Sequence, residues 1–287
     1  MKPPVFSYHE PANLDEALAL LAQFDDTKLL AGGQSLLPML NMRFVMPEHV
    51  IDLNRVPDLG EIRFDAGKIT IGAMTRQRAL QSCGLLQNRC PLMIEALHQV
   101  GHRATRNRGT LGGSLCHLDP AAELPVVMAA LDAHVHVQGP RGARTIPMTE
   151  FPAFYMTPSI EPDEIVTAVE FEPWAERHGY SFVEFARRHG DFAIVAAAVL
   201  VELNAGAVRR CTVTLGGVGA GPLRLTAAEQ TFTDSDGSTG VAERAAQACR
   251  TIDAMEDVQA STAYRRHLAE VLTCRALNLA VKRASDK

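Results

Sequence analysis

The chain has 287 residues, of which 47% are apolar and 21% charged. That is the balance of an ordinary globular protein with room for one large core or two to three smaller ones. A formal net charge of −5 leaves no basic footprint for nucleic acid. The longest strongly apolar run, Ala193 to Val201, stops at Glu202, well short of the roughly 18 to 20 residues that cross a bilayer. Met1 to Phe6 lacks the apolar stretch of a secretory signal, so a cytoplasmic protein is expected.

In chain order, Asn13-Leu14-Asp15-Glu16 reads as a helix start, with Asn13 as N-cap and Glu16 placed as in a capping box. Leu14, Ala17, Leu18, Leu21 and Phe24 then mark one apolar face. Lys28 to Leu30 is a short strand running into Ala31-Gly32-Gly33-Gln34-Ser35, and Leu36 to Leu40 suits a short helix. Val50 to Leu53 is a further strand. Glu61 to Phe64 and Lys68 to Ile71 flank an Asp65-Ala66-Gly67 turn as a hairpin. A helix over Pro91 to Val100 precedes the basic stretch Arg103 to Arg108 and the segment Thr110-Leu111-Gly112-Gly113-Ser114. Ala133 to Val137 and Arg144 to Ile146 make a second hairpin, and Glu164 to Phe171 a strand.

The breaker-rich stretch Pro173 to Gly179 marks a boundary between residues 1–177 and 178–287. Beyond it, Tyr180 to Phe185 is a strand. Ala193 to Leu203 suits helix or strand by composition, but the following Asn204-Ala205-Gly206 turn and Arg210 to Leu215 favour a hairpin. Helices over Val241 to Ile252 and Ser261 to about Lys282 close the chain. Short strands separated mostly by turns predict an α+β fold rather than a doubly wound parallel sheet.

Several chemistries are excluded. There is no P-loop, no His-Glu-x-x-His and no Gly-x-Ser-x-Gly pattern. The run Gly216 to Gly221 breaks the dinucleotide-binding register, with Pro222 where the last glycine would stand. Six cysteines without a Cys-x-x-Cys pair give no zinc or iron–sulfur spacing. What remains is two matched segments, Ala31-Gly32-Gly33-Gln34-Ser35 and Thr110-Leu111-Gly112-Gly113-Ser114. Paired glycines allow successive backbone N–H groups to turn toward an anion, and Ser35, Thr110 and Ser114 add hydroxyls. A tight turn is the plainer reading of either segment alone. Two of them suit a diphosphate, with no catalytic residue and no metal ligand among them.

Ala31 to Pro38 resembles the first flavin loop of the FAD-binding medium subunits of the molybdenum hydroxylases, the carbon monoxide dehydrogenase and xanthine dehydrogenase family. Arg106 to Leu115 is similar to the second loop. Asp119 to Pro125, Ile71 to Thr75, Arg187 to Ala193 and the final helix with Tyr264-Arg265 resemble further family segments. The resemblance implies a two-part FAD-binding domain over 1–177 (about 1–55 and 56–177) of the vanillyl-alcohol-oxidase-like type. A smaller domain with an antiparallel sheet and helices follows over 178–287.

The resemblance also implies a role: an electron-transfer subunit of a heterotrimer, usually doubled. A large partner carries the molybdopterin cofactor, and a small partner with 2Fe–2S clusters supplies electrons for an external acceptor. Carried over, Ala31, Gly32, Gly33, Gln34, Ser35 and Leu36 with Thr110, Gly112, Gly113 and Ser114 hold the diphosphate and adjoining oxygens of FAD. Thr75 lies near the nucleotide and Glu123 anchors it, while Asp191 and Phe192 lie near the flavin ring.

Two departures from the carbon monoxide enzymes, Ala186-Arg187-Arg188-His189 before Gly190-Asp191 and Ala121-Ala122-Glu123 after Pro120, lean toward an N-heterocycle or aldehyde as the substrate of the complex. A self-sufficient flavin oxidase of the same fold is the alternative. Arg103, Arg106 and Arg108 face either phosphate, a partner or solvent; Met39, Met42 and Met46 suit core or interface packing, and Cys116 a buried thiol.

Overall fold

The computed structural model describes residues 1–286. The chain opens with a three-stranded parallel sheet in the order β1–β3–β2, formed by β1 (Ser7–His9), β2 (Thr27–Leu30) and β3 (His49–Asp52). Helix α1 (Leu14–Gln23) makes the crossover that parallel pairing requires, and α2 (Leu36–Asn41) lies between β2 and β3. The start of α1 is fixed as the sequence suggests. Asn13 Oδ1 accepts the Glu16 N–H at 2.8 Å, while Glu16 Oε2 reaches back to the Ala12 N–H at 2.7 Å. Ala17 and Leu21 are buried against Ile51, Leu53, Val56 and Leu59. Parallel pairing in this first sheet is a feature that turn-separated strands did not suggest.

A five-stranded antiparallel sheet follows, in the order β4–β5–β10–β6–β7. Its members are β4 (Ile62–Asp65), β5 (Lys68–Gly72), β6 (His134–Gly139), β7 (Gly142–Pro147) and β10 (Ile165–Phe171), with a small pair β8 (Pro152–Phe154) and β9 (Thr157–Pro158) at the side. Between β5 and β6 come six helices: α3 (Gln77–Ser82), α4 (Gly84–Arg89), α5 (Pro91–Gln99), α6 (Arg103–Arg108), α7 (Leu111–His117) and α8 (Glu123–Ala130). Ile69, Ile71, Val135, Val137 and Val169 form one core with Leu92, Met93, Leu97, Leu111 and Leu115 from these helices. Every residue of α8 from Leu124 to Ala130 is buried, which is why it has no polar stripe.

The last unit is a four-stranded antiparallel sheet, β11 (Gly179–Phe185), β12 (Val195–Asn204), β13 (Ala207–Gly216) and β14 (Leu223–Arg224), in sequence order. The doubtful segment is thus strand: Ala205 and Gly206, both with positive φ (49° and 85°), make the two-residue turn. Helices α9 (Thr226–Phe232), α10 (Thr239–Ala246) and α11 (Thr262–Ser285) cover one face. Strand β12 is buried on both sides. Val195, Ala197, Val199 and Val201 join the core under α11, and Ala196, Ala198 and Leu200 join the core of α5 and α8. Glu95 on α5 clamps the same junction, accepting Arg283 at 2.9 Å twice and the Phe182 N–H at 2.9 Å. Among the described residues no helix is long and apolar enough to cross a membrane.

Candidate functional site

The first glycine segment leaves β2 and turns through Gly33, whose φ of +72° is the left-handed conformation glycine tolerates. The backbone N–H groups of Gly32, Gly33, Gln34 and Ser35 have no acceptor within the protein, whereas Leu37 and Met39 already donate to Gly33 O and Ser35 O. Four consecutive free amides around a left-handed residue form an anion-binding concavity. Helix α2 is too short to add much dipole, so the donors carry the attraction. Asn54 holds the segment in place: its amide donates to Ala31 O at 3.0 Å, and its own Oδ1 accepts Arg76.

The second segment is built differently from its sequence twin. Expected as a loop after extended chain, it is the first turn of α7. Thr110 is the N-cap, its Oγ1 accepting the Gly113 N–H at 3.0 Å. The N–H groups of Leu111, Gly112 and Ser114 go to Thr75 O, Ala73 O and Thr110 O at 3.1, 2.8 and 3.2 Å. Its amides are therefore spent. The glycines serve close approach instead: a Cβ on Gly112 would lie 2.6 Å from Ala73 Cβ. One on Gly113 would lie 2.8 Å from Thr110 Oγ1 and 3.5 Å from Ala31 Cβ.

The two segments meet. A Cβ on Gly32 would collide with Arg108 O and come within 2.8 Å of Gly109 Cα, so backbone touches backbone there. Residues 72–77 complete the arrangement through an isolated bridge between Arg76 and Thr110 and a 2.8 Å bond from the Gln77 N–H to Gly109 O. Thr75 is 2% exposed, and its Oγ1 has no hydrogen-bond partner in the protein. A buried hydroxyl in that condition is costly unless a ligand satisfies it. The segments of the sequence-chosen residues Ala31 to Leu36, Thr75, Thr110, Gly112, Gly113 and Ser114 thus come together in one place.

Glu123 opens α8, half-buried, and burial pushes its carboxyl well above the ordinary range, with Glu184 adding to the rise. Asp191 and Phe192 sit apart from the glycine segments in sequence, on an exposed loop between β11 and β12, with Phe192 65% exposed. That loop still reaches toward the site, because Gly190 (φ +87°) packs against His102 at the start of α6. Sequence reading missed Arg76, Asn54 and Glu184. Of the arginines it considered, Arg106 is turned inward to Val100 O (2.7 Å). Met42 and Met46 lie outside the core, with Leu37 and Phe44 exposed beside them. All six cysteines are free thiols, and burial raises that of Cys116 to about 12. No group of three or more metal-ligating side chains occurs among the described residues.

The first sheet and α7 thus meet at a seam of backbone-to-backbone contacts, with free amides on residues 32–35 and the buried Thr75 hydroxyl nearby in the same arrangement. Residues 4–174 match the family described as FAD binding domain in molybdopterin dehydrogenase, and residues 180–280 match the CO dehydrogenase flavoprotein C-terminal domain. The chain is 41% identical to the 6-hydroxypseudooxynicotine dehydrogenase complex subunit alpha of Paenarthrobacter nicotinovorans, over 99% of this chain and 97% of that one. Its fold superposes on carbon monoxide dehydrogenase from Hydrogenophaga pseudoflava with a TM-score of 0.96 at 36% identity, covering 99% of each chain. On quinoline 2-oxidoreductase from Pseudomonas putida 86 the TM-score is 0.95 at 34% identity, again covering 99% of each. The chain belongs to the FAD-binding medium subunits of the molybdenum hydroxylases, the carbon monoxide dehydrogenase and xanthine dehydrogenase family. Its cofactor is accordingly FAD, and it is an oxidoreductase subunit.

Proposed function

We propose that this chain is the electron-transfer flavoprotein of a heterotrimeric, cytoplasmic molybdenum hydroxylase that assembles as a dimer of heterotrimers. In this reading electrons arrive from 2Fe–2S clusters of a small partner and leave to an external acceptor. The large molybdopterin partner hydroxylates an N-heterocycle or an aldehyde. The N-heterocycle arm has support in the likeness to the quinoline enzyme. The domain division at 177/178 belongs to the same proposal.

The observation that carries it is the seam itself: the free amides of residues 32–35 belong to the segment that touches Arg108 and Gly109, and residues 72–77, joined to that same stretch, hold the buried, unpartnered hydroxyl of Thr75. The amides would hold one phosphate. Thr75, Thr110 and Ser114 would donate hydroxyls to the other phosphate and adjoining oxygens, and Glu123 would anchor the nucleotide further along. Asp191 and Phe192, on their exposed loop, would close over the ring and exclude water. Bound FAD supplies one- and two-electron chemistry there. The protein's own part is to bind, orient and shield.

Purifying the chain together with the products of its neighbouring genes tests this. A yellow complex of three subunits containing molybdenum and iron is expected. A yellow single chain that oxidises a substrate unaided would instead make it a self-sufficient oxidase.

A further inference from the structure

Beyond the phosphate seam, where the C-terminal sheet meets α8, two carboxylates approach each other from different halves of the chain. Gly216 makes the approach possible, since a Cβ there would lie 2.5 Å from Val126 Cγ2 and 3.6 Å from Ala196 Cβ. The Gly217 N–H also donates to Pro120 O at 2.8 Å, drawing the start of α8 onto the end of β13. Ala196 is the register partner of Glu184 on β11. Glu123 lies three residues before Val126, on the same face of α8, and its carboxyl is within electrostatic reach of Glu184.

Neither carboxylate has a salt-bridge partner, and Glu184 Oε2 is fully buried without a hydrogen bond. Arg106 of α6 is the nearest compensating cation, acting on Glu123 through space. Its NH1 is committed to Val100 O and Gly101 O, and its Nε is buried and unpartnered. The other charged group acting on the pair is Asp119, which adds negative charge to Glu123 and itself has His117 at 4.0 Å. Burial lowers the His117 pKa and so favours its neutral form. The Glu95–Arg283 ion pair further along β11 is satisfied within itself. Two ionised carboxylates at this half-buried junction, with one guanidinium acting on Glu123 alone, are disfavoured.

We infer that Glu123 and Glu184 act as one proton-holding unit across the junction of the two halves, keeping a neutral carboxyl beside the proposed flavin site. Burial raises both carboxyls above the ordinary range, and the Glu184 charge further opposes ionisation of Glu123, which links the two titrations. This rests on the flavin reading for its target: Glu123 opens the helix that follows the seam's second segment, and Glu184 stands on the strand that leads into the Gly190–Phe192 loop. Glu184 is a positioning residue here. Loss of the proton in mildly alkaline solution places two negative charges beside that site, which makes reduction of a flavin there harder.

The sign for stability follows from the raised values. The folded chain holds a proton that the unfolded chain releases at lower pH, so this contribution falls as pH rises from the ordinary carboxylate range through the raised one. The experiment compares wild type, Glu123→Gln and Glu184→Gln as full chains, with and without FAD. Urea unfolding and infrared detection of protonated carboxyl are followed from about pH 6 to about pH 9. Wild type should lose a protonated-carboxyl band and stability over that range. Each single variant should shift the remaining titration to lower pH, and the flavin midpoint potential of Glu184→Gln at high pH should be more positive than wild type.

Identical titrations in all three proteins would overturn the pair. An unaltered potential in Glu184→Gln would overturn its bearing on the flavin. A chain that titrates as expected but takes up no FAD would instead overturn the flavin reading and leave the pair standing.

Discussion

At the residue scale, Thr75 separates a binding role from a structural one. Its hydroxyl is buried with no protein partner, so Thr75→Val removes nothing the folded chain uses by itself. Flavin-free Thr75→Val should unfold at the same urea concentration as wild type or a higher one. FAD binding, read by fluorescence quenching, should weaken about 5- to 10-fold, the loss of one hydrogen bond worth about 1 to 1.5 kcal/mol. Gly113→Val should purify with little flavin, because its side chain would press on Thr110 Oγ1 and Ala31; normal flavin content would contradict the assigned seam. The glycine pairs were legible because glycine beside hydroxyl residues is a local signal. That the second pair opens a helix was not, since glycine disfavours helix, and only the contact with Ala73 explains it. Arg76, Asn54 and Glu184 carry no local mark at all; each acquires its role from a residue at least twelve positions away.

Among the elements, those with one solvated face were readable. Helix α1 with its capping box, the β4–β5 and β12–β13 hairpins and the terminal helix fall where periodicity and turn residues put them. Helix α8 did not show itself: wholly buried from Leu124 to Ala130, it has no apolar–polar period to detect. The first sheet was read strand by strand, but its parallel order depends on α1 crossing over it. One packing contact is especially exposed to test. A Cβ on Gly179 at the start of β11 would collide with Ala280 O of α11, and a backbone oxygen inside a helix cannot step aside. Gly179→Ala should therefore destabilise the chain by roughly 1 to 3 kcal/mol in urea melts. Substitution at Gly60, which has open space around it, should be nearly neutral by the same measurement.

For the molecule as a whole, β12 decides how the two halves behave. Its alternate side chains belong to different cores, and Glu95 fastens α5 to both β11 and α11. Interfaces between independent domains are looser than this. Unfolding followed by circular dichroism and by tryptophan fluorescence should give coincident transitions, because Trp174 lies in the shared core. Excess FAD should move both to higher urea together, by about 2.7 kcal/mol when free FAD is 100 times its Kd.

With FAD held at the proposed seam, the backbone contact between Gly32 and Arg108 sets the timing of cofactor capture. Neither strip of chain can grip a nucleotide until everything between them has folded and brought their ends together, and closing so distant a contact is slow. During renaturation, helical signal should return first and flavin quenching last. Newly made protein would then stay colourless until the chain through the second glycine segment has folded, so yellowness would itself certify a correctly assembled N-terminal half.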